Sequence, residues 1–99
     1  MNTEMAYLVG MVLGNGEIQQ DSQRTRVTIE IPHKNLYTDD KKDVKVYVKA
    51  SLVDIRTIIE PLIGRHLTVS QTNRATLLTF LFDNSEYLAR EIVRLTQHG

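Results

Sequence analysis

Apolar and polar positions alternate from Arg24 to Ile31, with Val27, Ile29 and Ile31 on one side and Arg26, Thr28 and Glu30 on the other. A side-chain period of two predicts a strand that buries one face. Ile18 to Gln20 predicts a shorter strand before it, and Asp21-Ser22-Gln23 the turn between them. Pro32 ends or edges the longer strand, because proline cannot donate to a ladder. His66 to Ser70 and Thr76 to Phe82 predict a second pair of strands, joined by a turn at Gln71 to Arg74. Between the pairs, Leu52, Ile55, Ile58, Ile59 and Leu62 recur at helical spacing. Ser51 and Asp54 resemble a capping box for that helix. Pro61 should kink or end it, and Gly64 is a natural stop. Leu88, Ile92 and Leu95 form the stripe of a last helix, capped by Asn84 or Ser85. His33 to Asp43 is polar and reads as a loop, and the alternation of Val44, Val46 and Val48 predicts a short extra strand over 44–49.

A further helix precedes all of these. Thr3 can cap it, it runs from Glu4 to about Gly14, and the Gly14-Asn15-Gly16 turn ends it. The whole order is α-β-β-α-β-β-α. This predicts one α+β domain over residues 1–99, with a single antiparallel sheet packed under helices and its other face open and polar.

The first helix carries no charge from Met5 to Gly14. A helix so apolar is normally buried all round. Ala6, Gly10 and Gly14 form an i, i+4, i+8 row, and a glycine inside a helix costs roughly 1 kcal/mol relative to alanine. A row without side chains admits the close approach of another backbone. Two partners are open: the domain's own sheet, or the same helix of a second copy.

The chain has 99 residues and no cysteine, which excludes disulfides and thiolate metal sites. Twelve basic and 12 acidic residues balance, so non-specific phosphate binding is not a property of the whole surface. The Met5–Leu13 run follows Glu4 rather than a basic residue, has no small-x-small cleavage site after it, and is too short to span a bilayer. A cytoplasmic protein is expected, with no membrane partner. His33, His66 and His98 lack metal-ligand spacing, and no phosphate-binding glycine loop occurs. Lys41, Lys42, Lys45 and Lys49 alternate with Asp39, Asp40 and Asp43 as a solvated segment would.

Residues 7–18, Tyr-Leu-Val-Gly-Met-Val-Leu-Gly-Asn-Gly-Glu-Ile, resemble the motif of the LAGLIDADG homing endonucleases. Leu8, Gly10 and Gly16 match it directly, Met11 and Val12 are apolar for apolar, and Gly14 stands where a small residue is usual. The α-β-β-α-β-β order is also that family's plan. The resemblance implies a homodimer whose motif helices pack through Ala6, Gly10, Leu13 and Gly14, with two sheets forming a saddle along double-stranded DNA. In such a saddle, paired acids at the helix ends bind a divalent cation such as Mg2+ and cut both strands. This chain departs from the pattern there. Asn15 stands in place of the catalytic Asp or Glu, and Leu13 in place of the motif's first Asp. A neutral amide is a poorer ligand than a carboxylate for a hard cation. Glu17, two residues on, is the alternative ligand.

On the same resemblance the DNA-binding residues are Gln19, Arg24, Arg26, Thr28, His66, Thr68 and Ser70 of the open face, with Arg74 in the following turn; Glu17 and Glu30 share that face and count against DNA. Arginines and short polar side chains suit phosphates and base edges. The expected function is therefore a dimeric DNA-binding protein with a degenerate active site, without a resident cofactor. The alternatives are an active Mg2+-dependent endonuclease using Glu17, and a small regulatory module that dimerises or binds a small molecule.

Overall fold

A computed structural model describes residues 2–32 and 41–97. Its elements are α1 (Thr3–Asn15), β1 (Gly16–Gln20), β2 (Arg24–Pro32), α2 (Lys41–Ile63), β3 (Thr68–Gln71), β4 (Ala75–Asp83) and α3 (Tyr87–Thr96). The four strands form one antiparallel sheet in the order β1-β2-β4-β3, so the α-β-β-α-β-β-α expectation holds.

Alternation sets the two faces of the sheet. Thr25, Val27 and Ile29 of β2 lie opposite Phe82, Phe80 and Leu78 of β4, and all six are buried. Phe80 and Phe82 meet edge to face at 5.5 Å. Met5, Leu8, Val9 and Val12 of α1, Ile55, Ile59 and Ile63 of α2, and Ala89 and Ile92 of α3 complete one continuous core with them.

Several boundaries differ from the sequence reading. The extra strand expected over 44–49 does not form, because α2 begins at Lys41 and runs through that stretch. Val44 and Val48 are also i, i+4, and Leu52, Ile55 and Ile59 continue the same helical spacing. A period of two over five residues could not be told from this longer period. Ser51 and Asp54 consequently lie inside α2 rather than at its start. The expected loop at His33 to Asp43 falls mainly on residues 33–40, outside the described residues, while Lys41–Asp43 belong to α2.

Pro61 is accommodated in the last turn of α2, which stops at Ile63 before Gly64 in the left-handed region at φ 69°. Asn2, not Thr3, caps α1: its side-chain oxygen accepts from the Met5 N–H at 2.7 Å. Glu86 occupies the cap position of α3, leaving Asn84 and Ser85 for other bonds. The Gly14-Asn15-Gly16 turn does not form either. α1 continues through Asn15 and passes directly into β1.

Gly16 makes that junction possible. Its N–H bonds the Val12 carbonyl, and a Cβ placed on it would lie 2.5 Å from the Val12 Cα. No helix of the described residues is long and apolar enough to cross a membrane.

Candidate functional site

Buried residues of α1 fall on one stripe, Met5, Leu8, Val9 and Val12. Ala6, Tyr7, Gly10, Leu13 and Gly14 lie on the opposite stripe and are exposed, Leu13 at 57%. The expectation of a helix buried all round is therefore corrected within the single chain: half of its charge-free Met5–Gly14 stretch is exposed. The glycines are not packed on the domain's own sheet, since a Cβ added at Gly10 or Gly14 meets nothing within 4 Å among the described residues. Neither has positive φ, so neither backbone conformation requires glycine.

Asn15, the last residue of this helix, is exposed. Glu17 follows on β1 and points to the sheet face away from the core, because Ile18 beside it is turned toward the helices. Its carboxylate accepts from the Gln19 amide at 3.3 Å. Among the described residues no three His, Cys, Asp or Glu side chains converge as a metal site would require.

Strand register lines up the open face in cross-strand rows. Glu17 pairs with Thr28, Thr28 with Thr79, and Thr79 with Thr68. Gln19 pairs with Arg26 and Arg26 with Leu81. Glu30 pairs with Leu77 and Leu77 with Ser70, while Arg24 lies opposite Asp83. Glu17, Gln19, Arg26, Thr28, Glu30, Thr68 and Ser70 are thus brought onto one surface. Arg24 stands at one end of it. Arg74 lies in the β3–β4 turn beyond the other end, so nine residues of β4 set the two arginines roughly 30 Å apart. His66 precedes β3, which starts at Thr68 rather than His66, and its Nδ1 lies 3.3 Å from the Glu60 carboxylate at the end of α2.

Leu77, Thr79 and Leu81 of β4 also belong to this face and were missed. The alternation of β4 carries the signal, but leucines at outward positions look like core in a sequence.

The β1–β2 end of the face is held rigidly. Asp21 Oδ1 accepts from the backbone N–H groups of Gln23 and Arg24, both at 2.7 Å. Those two bonds, the Gln23 one first, hold its carboxyl below the usual range. The Asn84 amide donates to the Asp21 carbonyl at 2.9 Å, and Thr25 donates to the Asn84 side-chain oxygen while accepting from the Gln20 amide. A recess of about 350 Å³ opens there, lined by Gln19, Gln20, Asp21, Arg24, Arg26 and Leu81.

Arg65, which no sequence pattern singled out, ties the opposite side together. β3 stops pairing with β4 at Thr68–Thr79, and beyond that point Arg65 donates to the Leu81 carbonyl. Its guanidinium also pairs with Glu86 and lies 4.5 Å from the centre of the Phe82 ring. Comparison with models of known families, with curated proteins and with solved structures gave no match to this chain.

Proposed function

We propose that this chain is a dimeric DNA-binding protein of the homing-endonuclease type whose cleavage site has decayed. The observation that carries the reading is the open face of the four-stranded sheet, where among the described residues amide, hydroxyl and guanidinium side chains stand exposed or half-exposed in register. Strands can enter the major groove, and these are the side chains that bond phosphates and base edges. The uncovered stripe of α1 supports the second half of the proposal. Two glycines that the single chain does not use would let the same helix of a second copy approach closely. Asn15 at the end of α1 supports the third, since a pair of amides leaves a divalent cation without charge compensation.

The test is binding of a fluorescent duplex at several salt concentrations, together with sedimentation. The reading expects a dimer at tens of micromolar and a duplex affinity that falls as salt rises, because each neutralised phosphate releases about one counterion. A monomer that leaves duplex DNA free at low salt would overturn it in favour of a regulatory module.

A further inference from the structure

We propose that Arg65 and Glu86 guard the outer corner of the sheet against strand addition, and that without them a second copy of the chain pairs with β4 at Leu81 and Asp83.

Backbone groups alternate sides along a strand. The Asn84 N–H bonds the Gln23 carbonyl, and the Thr72 N–H bonds the Ala75 carbonyl. Even-numbered residues of β4 therefore turn to β2 and odd-numbered ones to β3. Pairing with β3 stops at Thr68–Thr79, so Leu81 and Asp83 turn toward an edge that β3 does not reach. Had that ladder gone on in register, His66 would face Leu81 and Arg65 would face Phe82.

Side chains take the place of the missing strand. Arg65 donates to the Leu81 carbonyl, and the Glu86 carboxylate accepts from the Asp83 N–H at 2.7 Å. The two side chains also pair with each other, and the guanidinium lies 4.5 Å from the centre of the Phe82 ring. On the outer side of the α2–β3 link, Glu60 accepts from the Leu67 N–H, also at 2.7 Å. Each charge meets a backbone group of opposite polarity, a guanidinium on a carbonyl and carboxylates on N–H groups. Glu86 stands at the cap position of α3 yet makes no side-chain cap bond there, so its hydrogen bonds go to the strand edge and to Arg65.

Charged side chains on an edge oppose edge-to-edge pairing. The edge covered here is self-complementary. Leu81 offers an acceptor and Asp83 a donor two residues on, the spacing at which antiparallel strands exchange a pair of bonds about the residue between. Across a two-fold axis, each Asp83 N–H would meet the Leu81 carbonyl of the second copy. The side chains of Arg65 and Glu86 are 33% and 35% exposed, so the edge beneath them lies at the surface, within reach of another strand.

The experiment combines sedimentation over a range of concentrations with amide exchange at Asp83. It uses wild type, Glu86→Ala, and the double variant Arg65→Met with Glu86→Ala. Amides of Val27 and Phe80, which pair in the middle of the sheet, report whether the fold is intact. Wild type is expected to add no association step beyond the proposed α1 dimer. In dilute Glu86→Ala, exchange at Asp83 is expected to quicken roughly tenfold or more while Val27 and Phe80 stay protected. The double variant is expected to add a concentration-dependent doubling of mass, with Asp83 slow again in the larger species. An Asp83 amide as slow in dilute Glu86→Ala as in wild type would overturn the proposal. So would a double variant that keeps the wild-type size, or one that associates while Asp83 exchanges rapidly. If the double variant loses protection at Val27 and Phe80, Glu86→Ala decides by itself: Asp83 should slow as its concentration rises, and rapid exchange at every concentration would overturn the proposal. None of these outcomes involves DNA, so they leave the DNA-binding reading untouched.

Discussion

The hydroxyl of Thr25 donates a 2.7 Å hydrogen bond to the side-chain oxygen of Asn84, 59 residues away in the chain. Thr25 is fully buried, and the same hydroxyl accepts from the Gln20 amide at 2.9 Å. Asn84 in turn donates to the Asp21 carbonyl. One buried hydroxyl thus joins the β1–β2 turn to the β4–α3 connection, at the end of the sheet where Arg24 and Arg26 stand.

Thr25→Val keeps the shape of this side chain and removes its hydrogen bonds. The Asn84 oxygen and the Gln20 amide each lose a partner but reach water, so the loss is the net value of the bonds, about 0.5–1.5 kcal/mol each. Chemical denaturation should report a loss of that size. Thr25→Ser, which retains the hydroxyl, should lose less. Equal stability of Thr25→Val and wild type would show that the network contributes nothing to the fold.

The glycines of the first motif should separate into two kinds. Gly16→Ala forces a Cβ against the Val12 backbone and should destabilise the fold by about 1–3 kcal/mol, as overpacking commonly does. Gly10→Ala and Gly14→Ala meet nothing within 4 Å among the described residues and should stabilise the isolated fold by roughly 0.5–1 kcal/mol each. The same two substitutions should weaken the proposed dimer, and Gly10→Leu should abolish it. Thermal melts read the first effect and sedimentation the second. A Gly10→Leu chain that dimerises like wild type would move the interface away from α1.

Acid should loosen the contact between α2, β4 and α3. The Arg65 side chain, and after it the Asp83 N–H, hold the Glu86 carboxyl below its usual range. A carboxyl depressed in the fold contributes stability that is fully present above its unfolded pKa, about 4.3. That stability is lost as pH falls from there through the lower folded value. Arg65→Met should reduce the contribution of Glu86 to this acid sensitivity, measured as the pH dependence of the melting temperature between pH 6 and 3. An unaltered slope would show that the pair does not couple to folding.

Duplex binding should depend on Arg24, Arg26 and Arg74 taken together. Changing all three to alanine should weaken binding and flatten its salt dependence, because fewer counterions are released. An unchanged slope in a titration of salt against affinity would place the binding face elsewhere on the molecule.

Wild type should not cleave DNA efficiently, and Asn15→Asp should raise Mg2+ or Mn2+ affinity in calorimetry with duplex present. Two aspartates brought close at the ends of paired α1 helices would supply the charge that two amides lack. Recovery of cleavage is a stricter demand, since a site about 1 Å too loose commonly fails. Strong metal-dependent cleavage by wild type, abolished by Glu17→Gln, would make the active endonuclease the correct reading.

The sequence by itself determined what depends on local repetition. The alternation of Arg24 to Ile31 assigned each β2 side chain to its face. Helical spacing from Leu52 to Leu62 assigned the core stripe of α2, and Gly64 marked its end. Burial requires these periods wherever an element has one wet face, so they can be read without knowing the neighbours. The tertiary structure decided what depends on distant partners. Val44, Val46 and Val48 satisfy a strand locally, but they lie in a helix whose spacing continues through Ile59. Leu77 and Leu81 are apolar, yet register with β2 turns them to the open face. Arg65 and Asn84 reveal nothing by spacing, because their partners Glu86, Leu81 and Thr25 lie 16 to 59 residues away. Contacts of that range form only once the sheet has fixed which strand ends meet.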